Sequence, residues 1–524
     1  MPSEFRLRLN RHIFEYDIYN LIRSFFPLAE VKIWYEGETK PEGTFDADFS
    51  VDYTDTRVSI SFGMTDEALV LYKSASSVSA SDDAGADGKI VTGGGDVLLA
   101  SELSMEAPIA NWDDRVSTKN DVKRLVYQHL HALTGQELPW GDLTGIRPTK
   151  IAMQMLESGM TDDEMREELR EIYCVGEAKT ELALTTVHRE KKLIDSLHAE
   201  KGYSLYVGIP FCPTICLYCS FGSHRMDTYR DMVKPYFEAL YKELRFISEE
   251  MKDWHLDSLY IGGGTPTSVS AEQLRELLQE LEKNFDLENL AEFTIEAGRP
   301  DTITEDKLRV MREFPVTRIS INPQTMNQKT LDLIGRHHTV EQTREIFLLA
   351  RSLGFDNINM DIIVGLPGEG AAEVQETLDR IKEMDPDSLT VHSLALKRAT
   401  RLNLFKDSYE PISFENSESI MEAAASCAAD MGMSPYYLYR QKNMAGNFEN
   451  VGYARPGKAG VYNILIMEER QSILAAGSGA STKFVFDGGR RIERAENVKD
   501  LHNYVERIDE MLERKKYGIE NYLK

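Results

Sequence analysis

Three of the five cysteines in this chain lie within eight positions, in the segment PFCPTICLYCSF at residues 210–221. Cys212, Cys216 and Cys219 are spaced by four and three residues and follow an apolar run. Three thiolates on one short loop can each bind one iron of a [4Fe-4S] cubane, and because no fourth cysteine lies nearby, one iron would stay open. A zinc site and a redox thiol pair are the alternatives. Zinc would need a further ligand, for which His224 is the nearby candidate.

The composition limits the kind of protein that carries this cluster of cysteines. The 524 residues include 60 Lys and Arg against 86 Asp and Glu, a formal charge of −26 that disfavours binding to phosphate backbones or an anionic membrane. We find no signal-peptide pattern and no run of about 18 apolar residues, so we predict a cytoplasmic protein that binds neither nucleic acid nor membrane. In that reducing compartment clustered cysteines favour metal ligation over disulfides. The isolated Cys174 and Cys427 are expected to be core residues.

The length predicts more than one domain. Residues 1–140 mix short alternating segments with one helical run, which predicts an N-terminal α+β accessory domain. Residues 141–199 read as a helical connector. Residues 200–400 form a core of alternating strands and helices, and residues 401–524 read as a mainly helical C-terminal extension that covers the site.

Six short apolar segments of the core are predicted as strands: SLYVGI, DSLYIGG, EFTIEAG, TRISIN, NINMDIIVG and SLTVHSL. Amphipathic helical segments separate them, so the fold class is α/β with a parallel sheet, either a barrel or a doubly wound sheet. We favour a barrel, because residues capable of chemistry follow strand after strand and would gather at its C-terminal face. The cysteines follow the first strand and GGGTP the second. Glu296 ends the third, Gln324 follows the fourth, and Asp361 lies in the fifth.

The cysteine segment resembles a known signature. Cys212-x3-Cys216-x2-Cys219, with Tyr218 before the last cysteine, is similar to the first motif of the radical S-adenosylmethionine (SAM) superfamily, and GGGTP at residues 262–266 is similar to the second. The resemblance implies a partial (β/α)6 TIM-like barrel and a [4Fe-4S] cluster whose open iron binds SAM. Reductive cleavage of SAM would give methionine and a 5′-deoxyadenosyl radical.

Further segments resemble the oxygen-independent coproporphyrinogen III dehydrogenase (oxidase) family, in the longer subgroup with an extra N-terminal domain: LYVGIPFCPTIC, YIGGGTPT, IEAGRP, ISINPQTMN, MDIIVGLPGE, PWGDLTGIRPTK and YYLYRQKNMAGNFENVGYARPG. This resemblance implies oxidative decarboxylation of two propionates of coproporphyrinogen III to vinyl groups, which yields protoporphyrinogen IX in heme biosynthesis. It also implies two bound SAM molecules and an electron donor such as flavodoxin or ferredoxin. We expect a monomer.

The same resemblance assigns site residues in this chain. The three clustered cysteines would hold the cluster, and no catalytic acid or base is assigned. SAM contacts are expected from Tyr206, Tyr218, Gly263, Gly264, Thr265, Glu296, Gln324, Arg336, Asp361 and Ser481. Glu296 would bind the ribose hydroxyls, because a carboxylate at the end of an apolar strand needs a partner. A core role for Tyr206 and a solvated helix-end role for Arg336 are the alternatives.

Three departures from the family pattern keep other functions open. Phe221 stands where the dehydrogenases have a further cysteine, and phenylalanine there is typical of related heme-trafficking proteins. Those relatives carry an HNxxYW heme-contact pattern, whereas here Lys442 precedes Asn443 and no Tyr-Trp follows. Gly208 replaces a histidine, so the proton-handling role of that histidine cannot be transferred. A heme-binding chaperone and another radical SAM enzyme, such as a methyltransferase, are the alternatives.

A porphyrinogen with four propionates requires basic partners in this acidic chain. Arg398, Arg440 and Lys442 are the predicted substrate contacts, since guanidinium groups pair bidentately with carboxylates. A solvated basic strip is the alternative.

Overall fold

The structure is a computed structural model of the chain. It describes residues 4–27, 29–65, 89–91, 97–99, 102–109, 111–220, 222–395, 416–441 and 448–524. The chain divides into two compact units, residues 1–184 and residues 185–524. The finer four-part division drawn from the sequence stays a prediction.

The first unit has an α+β fold. Its strands are β1 Glu4–Leu9, β2 Glu30–Tyr35, β3 Ala47–Tyr53, β4 Arg57–Met64, β5 Lys89–Val91, β6 Val97–Leu99 and β7 Glu102–Pro108. Its helices are α1 Glu15–Phe25, α2 Arg115–Thr134, α3 Thr149–Glu157, α4 Asp162–Glu171 and α5 Glu177–Ile194, the last of which continues beyond residue 184. Five strands form one sheet in the order β2-β1-β3-β4-β7, and β5 pairs with β6.

The alternating sequence EFRLRL explains how β1, which lies between β2 and β3, contributes to both faces of that sheet. Phe5, Leu7 and Leu9 point to one face, where they are fully buried among side chains of α1 and α2. Arg6 and Arg8 point to the other face and pair with carboxylates of β3. One strand thus supplies both a core face and a charged outer face.

The second unit contains one large sheet of eleven strands and a separate pair of short strands. Its strands are β8 Gly202–Ile209, β9 Phe211–Cys212, β10 His224–Arg225, β11 His255–Gly263, β12 Glu292–Gly298, β13 Arg318–Ile321, β14 Ile358–Val364, β15 Ser388–Ser393, β16 Ser434–Tyr439, β17 Asn450–Ala454, β18 Ser472–Ala476, β19 Ser481–Phe486 and β20 Arg491–Glu496. Its helices are α6 Met226–Tyr229, α7 Val233–Glu250, α8 Ala271–Asn284, α9 Glu305–Arg312, α10 Gln328–Leu333, α11 Val340–Ser352, α12 Ala371–Met384, α13 Glu418–Asp430, α14 Val461–Glu468, α15 Leu501–Glu506 and α16 Ile508–Tyr522.

The six predicted core strands are confirmed as β8, β11, β12, β13, β14 and β15. They are parallel and lie side by side in chain order. A doubly wound sheet reverses its strand order at a switch point, and this run has no such reversal, so the barrel-type alternative is confirmed. Because the strands are parallel, their carboxyl ends meet at one edge, where the cysteine segment begins.

The helices between these strands follow their sequence signals. Ser270 caps α8 in a capping box with Gln273, and Leu274, Leu277 and Leu281 form its buried stripe. None of the described helices combines the length and the apolar character that crossing a membrane requires.

The C-terminal part differs from its predicted mainly helical character. Besides α13 to α16 it contributes five strands to the large sheet. Strands β16 and β17 extend the sheet beyond β15, whereas β18 pairs in parallel with β8 and leads into the β19–β20 hairpin. All five strands are only five or six residues long, and in β17 and β18 burial on both faces removes the alternating pattern that marks a strand in sequence.

Candidate functional site

A cavity of about 700 Å³ lies at the carboxyl ends of the parallel strands. It brings together every described residue predicted to bind the cluster or SAM: Tyr206, Cys212, Cys216, Tyr218, Cys219, Gly263, Gly264, Thr265, Glu296, Gln324, Arg336, Asp361 and Ser481. The individual roles of these residues stay predictions, but the residues share one site.

The three cysteines form no disulfide and lie on a loop that other segments fix in place. Cys212 and Cys216 are buried and Cys219 is partly exposed. The amide of Leu217 donates to the carbonyl of Ile334 (3.0 Å), and the Thr214 hydroxyl donates to the carbonyl of Gly335 (3.1 Å). These bonds hold the middle of the loop against the segment that follows α10.

Two buried arginines lie beside the thiols. Arg299 Nη1 lies 3.8 Å from Cys216 Sγ, and Arg336 Nη1 donates to the carbonyl oxygens of Asn322 and Pro323. Burial opposes the charge of Arg336, but Tyr218 and Cys216 next to it raise its pKa above the usual value. Three thiolates at one cluster carry three negative charges, and the two arginines suit such a site electrostatically.

Two glycines, Gly263 at the end of β11 and Gly264 directly after it, allow this segment to approach the cysteine loop closely. Gly263 has φ +113°, and a Cβ on Gly264 would lie 2.7 Å from the carbonyl oxygen of Phe211 and 3.0 Å from Cys212 Sγ. The amide of Thr265 donates to that same carbonyl of Phe211 (2.8 Å). A side chain at position 264 would therefore occupy space at the first cysteine.

Glu296 lies beside three stacked tyrosines that form an aromatic wall of the cavity. Tyr206, Tyr260 and Tyr462 are nearly parallel, with centroids 4.5 Å apart for Tyr260 and Tyr462, and the Tyr260 hydroxyl donates to Glu296. Burial raises the pKa of Glu296 to about 7, and the nearby Asp361 acts in the same direction. A carboxyl group that titrates near neutrality and faces a cavity is typical of a functional site.

The loop after β13 presents unpartnered polar atoms. Gln324 adopts φ +70°. Its backbone N–H donates to the backbone carbonyl of Asp361 (2.9 Å), and its backbone carbonyl accepts from the backbone N–H of Ile363 (2.8 Å). The buried side-chain oxygens Gln324 Oε1 and Asn322 Oδ1 form no hydrogen bond. Because buried polar atoms are nearly always paired, a bound polar ligand would satisfy them.

Asp361 has neighbours that the sequence did not reveal. Asn359 Nδ2 donates to Asp361 Oδ1 (2.7 Å), and His392 Nε2 on β15 lies 3.9 Å from Asp361 Oδ2. Burial acts to raise the pKa of Asp361, but His392, Asn359 and Thr390 together lower it below the usual value. The carboxylate is thus held ionised at the cavity wall.

The predicted substrate contacts are placed differently. Arg398 and Lys442 lie outside the described residues. Arg440 is buried, burial lowers its pKa to about 10, and it does not line the cavity, whereas Tyr439 and Gln441 on either side of it do. Side chains of an extended chain alternate between two sides, which explains the difference.

Sequence reasoning missed several residues that line the cavity: Tyr260, Arg299, Arg318, His392, Tyr437 and Tyr462. Arg299 had a usable signal, since it follows the end of β12 just as the cysteines follow β8. Tyr462 had none, because it lies on α14, far along the chain from the core strands, and only the fold brings it to the site.

The donor set fits a [4Fe-4S] cluster with bound SAM. In the described part of the chain, no three His, Cys, Asp or Glu side chains are grouped so that they could hold a metal ion. A cubane binds each cysteine through a different iron, so its ligands need not meet at one point. Three cysteines without disulfides on one loop, glycines that allow close approach, and the unpartnered side-chain oxygens of Asn322 and Gln324 all face the same cavity and agree with this group.

Comparisons with known proteins agree with the geometry. The Radical SAM superfamily model matches residues 206–381. The oxygen-independent coproporphyrinogen-III oxidase-like protein HemZ of Bacillus subtilis (strain 168) is 43% identical over 401 residues, which cover 76% of this chain and 80% of that protein. The heme chaperone HemW of Lactococcus lactis subsp. lactis (strain IL1403) is 31% identical over 333 residues, which cover 61% of this chain and 80% of that protein.

Among solved structures, coproporphyrinogen III oxidase (HemN) from Escherichia coli aligns with a TM-score of 0.48 and 23% identity, over 62% of this chain and 72% of that one. The family match and the cysteine loop define a radical SAM protein, which uses a [4Fe-4S] cluster and SAM as cofactors. Within that superfamily the chain belongs to the oxygen-independent coproporphyrinogen III oxidase-like family.

Proposed function

We propose that the protein converts coproporphyrinogen III to protoporphyrinogen IX without oxygen, by oxidative decarboxylation of two propionate side chains. The observation that carries the proposal is the convergence of the predicted cluster and SAM residues on one cavity of about 700 Å³. That volume lies in the range of sites for cofactors and organic substrates. The name of the Bacillus subtilis relative supports the same substrate class.

When bound by the three cysteines and the cavity residues, the cluster and SAM would supply a carbon radical that can take a hydrogen atom from an unactivated carbon. The chain's own residues position and shield the reacting groups. Tyr206, Tyr260 and Tyr462 give the cavity an aromatic wall against which an organic ligand can pack. Arg318, which is buried and donates to the Ser388 hydroxyl, adds a positive charge to the cavity lining. Loss of carbon dioxide, with transfer of one electron to an external one-electron acceptor, would complete each vinyl group.

Several parts of the proposal rest on the family resemblance. They are a second SAM molecule, a flavodoxin- or ferredoxin-type electron donor, a cytoplasmic location and a monomeric state. Each stays a prediction.

Glu296 provides a test of the SAM site with a defined pH dependence. A carboxyl group whose pKa is about 7 is mostly protonated below that pH, and the ionised form accepts best from two ribose hydroxyls. We therefore expect SAM affinity to increase as the pH rises from 6 to 8. In Glu296→Gln we expect affinity about tenfold to a hundredfold lower at pH 8, with this pH dependence lost.

Anaerobic binding titrations of the reconstituted protein at several pH values check this prediction. Glu282→Gln, an exposed change on α8, is the control and should behave as wild type. A Glu296→Gln protein with the wild-type pH profile would contradict the assigned role.

The predicted substrate contacts are tested by Arg398→Ala and Arg440→Ala. If Arg398 pairs with a propionate, KM for the tetrapyrrole should rise roughly tenfold to a hundredfold in Arg398→Ala, because a hydrogen bond to a charged group contributes about 1.5–3 kcal/mol. Arg440 does not line the cavity, so it can pair with a propionate only if substrate binding moves it, and Arg440→Ala tests that. Thermal unfolding of Arg440→Ala must be measured as well, since this side chain is buried. Arg309→Ala, which breaks an exposed pair with Glu305, is the matched control. Unchanged KM in both variants would contradict the assignment of these arginines as propionate contacts.

A heme-binding chaperone is the second candidate function, supported by the similarity to the Lactococcus lactis relative. Such a protein would bind heme stoichiometrically and form no vinyl product. Another radical SAM enzyme, such as a methyltransferase, would transfer a labelled methyl group from SAM instead.

One experiment separates these functions. The protein is reconstituted anaerobically with iron and sulfide, reduced with dithionite, and incubated with SAM and coproporphyrinogen III. Mass spectrometry should show a loss of roughly 46 mass units per converted propionate, together with 5′-deoxyadenosine. Formation of 5′-deoxyadenosine without this loss would contradict the proposal.

A further inference from the structure

Glu243 on α7 is a fully buried carboxylate at the centre of a hydrogen-bond network. Its Oε1 accepts from Lys515 Nζ (2.5 Å) and Asn497 Nδ2 (2.8 Å), and its Oε2 accepts from the Tyr504 hydroxyl (2.5 Å) and the Gly477 amide (2.8 Å). Neither side chain of the Glu243–Lys515 pair has any exposed surface. The network joins α7, α15, α16 and the segment after β18.

The same network fixes both backbone groups of Gly477. Asn497 Nδ2 also donates to the Gly477 carbonyl (2.7 Å), while Asn497 Oδ1 accepts from Lys515 Nζ (2.6 Å). Gly477 has φ +112°, and a Cβ there would lie 2.6 Å from the Tyr236 hydroxyl and 2.7 Å from the Gly208 carbonyl oxygen. Only glycine therefore fits at this position without displacement of its neighbours.

The residues that follow Gly477 form part of the cavity wall. We call residues 477–480 the β18–β19 loop; Gly479 and Ala480 of this loop and Ser481, the first residue of β19, line the cavity. The backbone N–H of Gly479 donates to the carbonyl of Val498 (2.8 Å), and the backbone N–H of Asn497 donates to the carbonyl of Ala480 (2.9 Å). The Glu243 network thus fixes the first residue of a loop whose later residues line the cavity.

Stability alone does not account for this network. Replacing a buried ion pair by apolar side chains of similar volume is often neutral or stabilising, so a buried pair is weak evidence of a purely stabilising role. A fully satisfied polar network does specify one backbone arrangement, and here that arrangement is the loop at the cavity.

We propose that Glu243 is a positioning residue of the SAM site. Through Lys515, Tyr504 and Asn497 it couples the docking of the C-terminal helices to the conformation of the β18–β19 loop. SAM affinity then depends on the network, and, because coupling is reciprocal, bound SAM protects the α16 amides from exchange. This proposal rests on SAM binding in the cavity and does not require the tetrapyrrole reaction.

The test uses the reconstituted full-length protein and three variants. Tyr504→Phe removes one donor to Glu243, and Glu243→Gln replaces one acceptor oxygen by an amide nitrogen, which donates and cannot accept. Lys524→Ala is the matched control, because the exposed Lys524–Glu250 pair (2.8 Å) links α7 to the residues directly after α16 without touching the loop. Iron content, the SAM Kd and hydrogen exchange of residues 477–481 are measured for each.

We expect the SAM Kd to rise about tenfold in Glu243→Gln and several-fold in Tyr504→Phe, with faster exchange in the loop and unchanged iron content. Lys524→Ala should stay within twofold of wild type. If Tyr504→Phe and every folded Glu243→Gln sample bind SAM as wild type does, the proposal is overturned. If Glu243→Gln does not fold, Tyr504→Phe alone decides. Wild-type protein that binds SAM but forms no vinyl product would contradict the proposed function and leave this proposal intact.

Discussion

Cys216→Ala is expected to lose the [4Fe-4S] cluster and, with it, all SAM cleavage. Cys216 is one of only three thiols in the loop, it is buried, and Arg299 lies against its sulfur. With two thiolates left, the loop cannot hold three irons of a cubane. Iron analysis and the visible absorbance of anaerobically reconstituted protein should show no cluster, and 5′-deoxyadenosine should fall to the level of a sample without protein.

Cys427→Ala is the matched control for this experiment. Cys427 is also buried and also in the second unit, but its thiol donates to the carbonyl of Leu378 and does not line the cavity. It should keep the wild-type iron content and rate. SAM cleavage by Cys216→Ala would refute the ligand assignment, and stoichiometric zinc in the wild-type protein would refute the cluster itself.

Gly264→Ala is expected to have the second-largest effect. Its Cβ would lie 2.7 Å from the Phe211 carbonyl oxygen and 3.0 Å from Cys212 Sγ, so both the backbone and the first cluster ligand would have to move. Overpacking costs up to about 3 kcal/mol, which corresponds to a loss of roughly a hundredfold in SAM affinity. Binding titrations, with iron content measured in parallel, test this.

Gly222→Ala serves as the comparison, because a Cβ there meets none of the described atoms within 4 Å. It lies near the same cysteines and should bind iron and SAM as wild type does. Equal SAM affinity in Gly264→Ala and wild type would show that the close approach of β11 to the loop is not required.

Local patterns predicted the core strands and the residues at their ends. An apolar run followed by glycine or cysteine marks the carboxyl end of a buried strand, so the amino-acid pattern by itself assigns Cys212, Gly264 and Glu296 to one edge of the sheet. Strand order was beyond local patterns, because it depends on contacts between distant segments. The parallel insertion of β18 beside β8 is such a contact.

Arg440 shows that a basic side chain alone does not identify a substrate contact. Its basic character suggested a carboxylate contact, but Tyr439 and Gln441 on either side of it face the cavity. The alternation of an extended segment was readable in the sequence and would have indicated that position 440 points elsewhere. His392 is the opposite case: it lies on a predicted strand, yet only the register with β14 places it near Asp361.

The pairing of β18 with β8 has a consequence for biosynthesis. The ribosome completes β8 more than 250 residues before Ser472–Ala476 emerges, so one edge of an apolar strand stays unpaired through about half of translation. Open strand edges in nascent chains promote aggregation and attract chaperones. Iron and sulfide delivered during synthesis would meet an unfinished pocket, and cluster assembly should therefore follow release of the finished polypeptide.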